Sequence, residues 1–129
     1  MSSVGIVLVS HSDLLANGLR DLVRELVGDA VPLAAAGGTD DGGLGTSYDR
    51  VLAAIGEADR GAGVAVIPDI GSSVLTMRTV EEDRPRDDVV LVDAPFVEGA
   101  VSAAVTAASG ADLATVVAAG EEARRTAKF

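Results

Sequence analysis

Short runs of nearly continuous apolar residues alternate along this chain with longer segments in which apolar residues recur every three or four positions. The apolar runs cover residues 4–9, 30–36, 63–68 and 89–92. An apolar run of this length without polar alternation is typical of a strand that is buried on both of its faces. We therefore predict four strands of a parallel sheet, connected by helices.

The segment after the first run has the periodicity of an amphipathic helix. Its polar positions hold aspartate, asparagine and arginine residues, which leave one helical face apolar. The residues on that face are Leu15, Leu19, Leu22 and Leu26. Such a stripe predicts a helix that packs its leucine face against the sheet.

Four more helices are predicted from the residues that start them. Ser, Thr and Asp favour the N-cap position, and Pro is accepted in the first helical turn. These start signals lie at Thr46 or Ser47, at residues 71–73, at Pro95 and at Asp112. The alternation of strands and helices predicts one doubly wound α/β domain over residues 1–129, with a mainly parallel sheet of at least four strands. We expect the strand order 2-1-3-4, with helices on both faces of the sheet.

The composition narrows the classes of function that fit this domain. Of the 129 residues, 48% are hydrophobic and 2% aromatic, so the core must consist of aliphatic side chains. A formal net charge of −10 disfavours binding to nucleic acid and to anionic membrane surfaces. With no cysteine and one histidine, the chain lacks the usual zinc ligands, and we expect neither a metal nor a cofactor. No apolar segment reaches the roughly 18 residues that a membrane span needs, and we expect a cytoplasmic protein.

His11, the only histidine of the chain, follows the first apolar run and is the leading candidate for chemistry at neutral pH. The carboxyl ends of parallel strands share one edge of the sheet, where the connecting loops form a binding crevice. Polar segments are predicted at this edge at residues 10–13, 37–47, 69–73 and 93–95. The second segment has eleven residues and five glycines. This length exceeds the usual connection of about two to six residues, which favours a functional loop.

Asp69 follows the third apolar run, so the predicted strand order places it beside His11. Neighbouring parallel strands lie about 4.8 Å apart, which brings a histidine–carboxylate contact within reach. A carboxylate that accepts one ring N–H orients the imidazole and leaves the other nitrogen free to act as a nucleophile. Gly71, Ser72 and Ser73 start a helix, whose free N–H groups and hydroxyls suit a phosphate group.

Each of these residues also has a structural alternative. A histidine at a strand end is often a surface residue or a satisfied structural residue, and a lone aspartate there often caps a turn. Ser72 and Ser73 are helix caps if His11 is inactive, and the long loop is then a flexible connection. The chain lacks the glycine motifs of nucleotide-binding loops, the acidic cluster of phospho-aspartate receivers and the nucleophile motif of serine hydrolases.

Several segments together carry a resemblance to a known family. They are residues 5–12, 36–40 with 45–47, 69–72, 94–100 and 107–112. In the order and spacing of these segments, the chain resembles the phosphotransfer subunits of phosphoenolpyruvate-dependent dihydroxyacetone kinases, which are relatives of the mannose-family enzyme IIA domains. The resemblance covers essentially the whole chain.

This resemblance implies a role for the protein as a phosphotransferase subunit. His11 would accept a phosphoryl group from the histidine-containing phosphocarrier protein and pass it to ADP on the nucleotide-binding subunit of the kinase. Asp69 then corresponds to the carboxylate that orients the active histidine, and the protein is expected to form a homodimer. The residues expected around the phosphoryl group are Ser12, Gly38, Thr39, Gly71, Ser72 and Ser73.

Two other functions remain open at this point. An enzyme IIA domain of a mannose-type sugar transport system shares the fold and the histidine, but it delivers the phosphoryl group to a IIB domain. A non-catalytic dimeric interaction module would bind a partner through its acidic surface, and it would not need His11.

Overall fold

The computed structural model describes residues 3–129. Its strands are β1 (Gly5–Ser10), β2 (Leu33–Gly37), β3 (Val64–Pro68) and β4 (Val89–Leu91). Its helices are α1 (Asp13–Val27), α2 (Tyr48–Ala58), α3 (Ser72–Asp83), α4 (Phe96–Ala108) and α5 (Leu113–Glu122). Within this described range, no helix combines the length and the apolarity that crossing a membrane requires.

The four strands form one parallel sheet in the order β2-β1-β3-β4, which confirms the predicted α/β fold and strand order. β1 lies between β2 and β3, with Val9 opposite Pro68. The carboxyl ends of the two central strands, β1 and β3, therefore lie side by side. As a result, the segments that start with His11 and Asp69 leave the sheet at the same edge.

Helices cover both faces of the sheet, as predicted. Buried residues of α1, α4 and α5 form one core with Ile6 and Leu8 of β1. Buried residues of α2 and α3 form a second core with Val7 and Val9. Successive side chains of a strand point to opposite faces, so β1 contributes to both cores and is buried along its whole length. This burial makes the end of β1 a rigid support for the residues that follow it.

The apolar face of α1 differs from the prediction. Leu19 is buried, but its companions in the core are Ala16 and Val23. A β-carbon on Gly37 of β2 would lie 2.8 Å from the β-carbon of Ala16, so α1 and β2 approach too closely for a leucine at that position. Close packing therefore buries the face with the smaller side chains. The predicted core residues that are instead 43–57% exposed are Leu15, Leu22 and Leu26.

Element boundaries follow local backbone chemistry. β2 begins at Leu33, later than the predicted residue 30, because Pro32 has no N–H to donate to the sheet. The carbonyl of Pro32 still accepts a hydrogen bond from the backbone of Ile6. The predicted helix starts at Ser47 and Asp112 are confirmed, since each side chain accepts a hydrogen bond from a backbone N–H in the first turn.

Candidate active site

His11 lies at the carboxyl edge of the sheet, between the end of β1 and the start of α1. Ser12 is the N-cap of α1, because its hydroxyl accepts a hydrogen bond from the backbone N–H of Leu15. The chain changes from strand to helix within two residues, and the side chain of His11 remains 35% exposed. An imidazole held on a rigid strand end is thus accessible to another molecule.

His11 is paired with Asp69, which lies 58 residues later in the chain. Nδ1 of His11 lies 2.6 Å from Oδ2 of Asp69. The Asp69 side chain is only 5% exposed, and its backbone N–H donates to the carbonyl of Val9. When Nδ1 donates its proton to the carboxylate, Nε2 is the ring nitrogen that carries the free lone pair. The structure therefore brings together the histidine and the carboxylate that the sequence predicted.

The carboxylate of Asp69 receives further hydrogen bonds. Ser10 Oγ donates to Oδ2 at 2.8 Å, and Ser73 Oγ donates to Oδ1. The backbone N–H of His11 also donates to Oδ2, at 3.3 Å. Burial by itself raises the pKa of Asp69, but hydrogen bonds from the side chains of Ser73, Ser10 and His11 and from the backbone of Ile70 outweigh burial and hold the pKa below the ordinary carboxyl value. Asp69 is therefore an anion at neutral pH.

His11 lines an open cavity of about 260 Å³. The other residues of its wall come from the loop before α2, the loop before α3 and the first residue of α3, and they are Leu44, Gly45, Ile70, Gly71 and Ser72. Leu44 and Ile70 are 78% and 68% exposed, so apolar side chains rim the cavity. A small, open site with an apolar rim suits contact with another protein better than enclosure of a small ligand.

The amino-terminal end of α3 forms one wall of this cavity. Gly71 is its N-cap with a φ of 58°, and no side chain caps this helix. Glycine adopts this left-handed conformation at little cost. A helix N-terminus carries partial positive charge, which favours an anion. The backbone N–H groups of Ser73 and Val74 in this first turn donate to the carbonyls of Ile70 and Gly71. The cavity thus places the imidazole of His11 beside a helix end whose partial positive charge favours an anion.

The glycine-rich loop between β2 and α2 forms the other wall. The backbone N–H of Gly45 donates to the carbonyl of His11 at 2.9 Å, and Gly38 pairs with Thr46 in an isolated bridge. The hydroxyl oxygens of Thr46 and Ser72 lie 2.8 Å apart. These hydrogen bonds attach the loop both to His11 and to the amino-terminal end of α3.

The structure separates the predicted phosphoryl-binding residues into different positions. Gly71 and Ser72 line the His11 cavity. Ser12 is close in sequence, but its hydroxyl caps α1. Ser73 is fully buried, and its hydroxyl donates to Asp69 and to the carbonyl of Ile70. Ser73 therefore supports the carboxylate instead of facing the cavity.

The two predicted residues of the glycine-rich loop lie outside the cavity wall. The hydroxyl of Thr39 donates to the carboxylate of Asp41 within the loop. Gly38 is buried, and its backbone N–H donates to the carbonyl of Ser10 at 3.2 Å. Both residues therefore stabilise the shape of the loop. The residues of this loop that line the cavity are Leu44 and Gly45.

Ser10 and Thr46 belong to the site although neither is predicted from the sequence as a site residue. Ser10 directly follows an apolar run, and the sequence predicts Thr46 as a possible helix cap. The Ser10 hydroxyl contacts Asp69, and the Thr46 hydroxyl contacts Ser72. Both contacts depend on the order of the strands in the sheet. The only sequence signal is position, since one directly precedes His11 and the other ends the glycine-rich loop.

Elsewhere on the described surface, fewer reactive side chains are brought together than around His11. A groove of about 540 Å³ lies among α2, α3 and the turn before β4, at the amino-terminal edge of the sheet. Arg86 in its wall is paired with Asp59 and Asp88. Among residues 3–129, no three carboxylate or imidazole side chains come close enough together to hold a metal ion. The carboxyl edge around His11 is therefore the candidate active site.

Comparison with known proteins places this site in a family. Residues 5–117 match the family model EIIA-man, which is described as the PTS system fructose IIA component. The chain belongs to this enzyme IIA family. The match covers both His11 and Asp69, and it confirms the resemblance seen in the sequence segments around them.

Curated relatives of this enzyme IIA chain are named as subunits of dihydroxyacetone kinases. It is 41% identical over 102 residues to the phosphoryl donor subunit DhaM of PEP-dependent dihydroxyacetone kinase 1 from Listeria innocua, covering 78% of each chain. It is 37% identical over 107 residues to the phosphotransferase subunit DhaM of the PTS-dependent dihydroxyacetone kinase from Lactococcus lactis, covering 83% of this chain and 85% of that one. A DhaM from Escherichia coli is 38% identical over 120 residues, but the match spans only 25% of that longer protein.

Solved structures support the fold of this enzyme IIA chain. The protein of unknown function EF1359 superposes with a TM-score of 0.79 at 30% identity, over 95% of each chain. A sigma-54 interaction domain protein from Enterococcus faecalis superposes with a TM-score of 0.67 at 16% identity, over 96% of this chain and 92% of that one. The second similarity shows the fold alone.

Proposed function

We propose that this protein is a phosphohistidine carrier, in which Nε2 of His11 accepts a phosphoryl group and passes it to a second acceptor. The observation that carries this proposal is the 2.6 Å contact between Nδ1 of His11 and Oδ2 of Asp69. This contact engages one ring nitrogen and leaves the other for nucleophilic attack. The adjoining cavity, with the end of α3 in its wall, supplies a place for phosphoryl oxygens.

The transfer step follows from these groups. The Nε2 lone pair attacks phosphorus, and the bond from phosphorus to the donor breaks, with its electron pair returning to the donor. The imidazole ring of His11 keeps its Nδ1 proton and gains positive charge, which the Asp69 carboxylate stabilises. Onward transfer reverses this sequence, because an acceptor oxygen attacks phosphorus and the N–P electron pair returns to Nε2. Positioning and charge stabilisation are the main requirements of such a transfer.

We propose the histidine-containing phosphocarrier protein as the donor and ADP on the nucleotide-binding subunit of a dihydroxyacetone kinase as the acceptor. The names of the relatives support this assignment, since they are phosphoryl donor or phosphotransferase subunits of such kinases. The exposed Leu44 and Ile70 beside His11 support protein partners on both sides of the relay. On this proposal residues 1–129 act as one phosphotransfer domain.

A phosphorylation experiment tests the relay. The protein is incubated with phosphoenolpyruvate, enzyme I and the phosphocarrier, and the modified residue is mapped. We expect one acid-labile phosphate on His11, none on a folded H11A variant, and normal labelling of S102A. Ser102 is a suitable control because its hydroxyl donates to the carbonyl of Ala119, between α4 and α5. Phosphate on another residue, or no phosphate, contradicts the proposal.

A second candidate differs only in the acceptor. The matched family model is described as a sugar phosphotransferase component, which favours an enzyme IIA domain that delivers to a IIB domain. The phosphorylated protein should be chased with the ADP-loaded kinase subunit and, separately, with a mannose-type IIB domain. We expect rapid ATP formation with the kinase subunit and slow loss of phosphate to the IIB domain. The opposite order supports the sugar transport function.

We also propose that the protein is a homodimer. β4 is the last strand of the sheet on its side, and α1 exposes four leucines, so unpaired backbone and apolar surface are both available for self-association. Sedimentation velocity of the full chain should give the mass of two copies. A monomer mass at micromolar concentration contradicts this part of the proposal but leaves the relay untouched.

A further inference from the structure

Ser10 is a fully buried polar residue directly before His11, at the last position of β1. Its hydroxyl donates to Oδ2 of Asp69 at 2.8 Å. The same hydroxyl accepts a hydrogen bond from the backbone N–H of Ser12, at 3.0 Å. Because the Ser12 amide occupies a lone pair of the Ser10 oxygen, the Ser10 proton is directed toward the carboxylate. The orientation of this hydroxyl is thus determined by the backbone at the start of α1.

Oδ2 of Asp69 is shared between the Ser10 hydroxyl and two groups of His11, the imidazole and, at 3.3 Å, the backbone N–H. It receives the Ser10 hydroxyl at 2.8 Å and Nδ1 of His11 at 2.6 Å. Hydrogen bonds to one acceptor oxygen compete for the same charge, and they are strong in a site with little exposure to water. The charge that the carboxylate offers to the imidazole therefore depends on the Ser10 hydroxyl.

We propose that Ser10 is a positioning residue for phosphoryl transfer, which acts through Asp69 to limit how strongly the carboxylate binds the imidazole of His11. This inference rests on the proposed phosphohistidine function. Its consequence is that Ser10 keeps the phosphorylated imidazole reactive. A carboxylate that bound the positive ring more strongly would stabilise the phosphohistidine and disfavour onward transfer.

Other donors keep Asp69 in place when Ser10 is changed. Ser73 donates to Oδ1, and the backbone N–H of Asp69 donates to the carbonyl of Val9. Replacing Ser10 with alanine therefore removes a competitor for Oδ2 and leaves the carboxylate beside His11. The contact between Asp69 and Nδ1 should become stronger in S10A.

Nuclear magnetic resonance can detect this change in the unphosphorylated protein. Because His11 is the only histidine, a sample labelled with ¹⁵N-histidine gives the signals of a single imidazole. We expect the Nδ1 proton to move downfield in S10A and to stay unchanged in the matched control S102A. S10C should lie between wild type and S10A, because a thiol is of similar size but a weaker donor. An unchanged or upfield-shifted proton in a folded S10A protein overturns the proposal.

The equilibrium of phosphoryl exchange is the second readout. With the phosphocarrier as donor, S10A should shift the equilibrium toward phosphorylated His11 by about tenfold, the size expected for one hydrogen bond to a charged group. In a D69N background the same S10A change should have less than about a threefold effect, because the shared charge is absent. An equal effect in both backgrounds means that Ser10 acts independently of Asp69 and overturns the proposal.

These two measurements separate this inference from the proposed function. If wild-type protein is never phosphorylated on His11, the carrier function fails. The imidazole signals of S10A still decide in that case whether Ser10 controls the contact between Asp69 and His11. If His11 is phosphorylated normally and S10A matches wild type in both measurements, the carrier function stands and the role of Ser10 is wrong.

Discussion

The hydroxyl oxygens of Thr46 and Ser72 lie 2.8 Å apart, although 26 positions separate the two residues in the chain. Thr46 ends the glycine-rich loop, and Ser72 is the first residue of α3 in the wall of the His11 cavity. When Ser72 donates its proton to a phosphoryl oxygen, it can accept the Thr46 proton in return. The pair therefore connects the loop to the place where we expect phosphoryl oxygens to bind.

Replacing Thr46 with valine tests this connection. Valine keeps the branched shape and removes the hydroxyl, so Ser72 loses its partner and the loop loses its attachment to α3. We expect phosphoryl transfer to His11 to slow by about 3- to 10-fold, the effect of one neutral hydrogen bond. Rapid-quench measurement of His11 phosphorylation checks this, with T46S as the matched control that keeps the hydroxyl. A T46V protein as fast as T46S means that the pair has no part in transfer.

Asp69→Asn removes the charge of the carboxylate and preserves its size. The amide cannot stabilise positive charge on the imidazole. Where its NH₂ group faces Nδ1, the ring must carry its proton on Nε2, which removes the lone pair needed for attack. We expect phosphoryl transfer to His11 to slow by roughly 10- to 100-fold, while the circular dichroism spectrum stays that of the wild type. Single-turnover rates of the two proteins at equal concentration give the comparison. Equal rates with a confirmed fold remove Asp69 from the mechanism.

The depressed pKa of Asp69 predicts a loss of stability in acid. Because the pKa of Asp69 is lower in the folded state than in the unfolded state, the unfolded state binds more protons as the pH falls. The contribution of Asp69 is therefore complete above the unfolded pKa of about 3.9 and is lost as the pH falls through the folded pKa. Urea unfolding between pH 7 and pH 3 should show a larger loss of free energy for wild type than for D69N. Parallel curves for the two proteins contradict this prediction.

Gly37 at the end of β2 is a position where the fold tolerates no side chain. A β-carbon there would lie 2.6 Å from Cα of Asp13 and 2.7 Å from the carbonyl oxygen of Ser12, at the start of α1. We expect G37A to lower the free energy of unfolding by about 1 to 3 kcal/mol, since α1 must move away from β2. Urea unfolding measures this value.

Gly18 provides the matched control for Gly37. It lies within α1, and a β-carbon at this position would have no heavy atom within 4 Å apart from its chain neighbours and the local backbone of the helix. Alanine is the better helix former, so G18A should raise the free energy of unfolding by up to about 1 kcal/mol. G37A and G18A should thus change the free energy of unfolding in opposite directions. Destabilisation by G18A, or a G37A protein as stable as wild type, contradicts the packing described for α1.

The fold could be predicted because each of its elements has a local signal. Apolar runs mark strands that are buried on both faces, and the caps Ser47 and Asp112 mark helix starts. The buried face of α1 could not be predicted, since a leucine stripe competes with a face that contains Ala16 and Val23. The close approach of Gly37 decides between them, and that approach is a property of two elements together.

By itself, the sequence determined the alternation of strands and helices and the sheet edge at which polar loops gather, and it brought a contact between His11 and Asp69 within reach. Those follow from chain order and from the shared direction of parallel strands. Only the tertiary structure decided which partner each serine hydroxyl contacts. Ser12 caps a helix, Ser73 and Ser10 hold the carboxylate, and Ser72 faces the cavity. A hydroxyl bonds to whichever partner lies within about 3 Å, and that distance exists only after the strands and loops have packed.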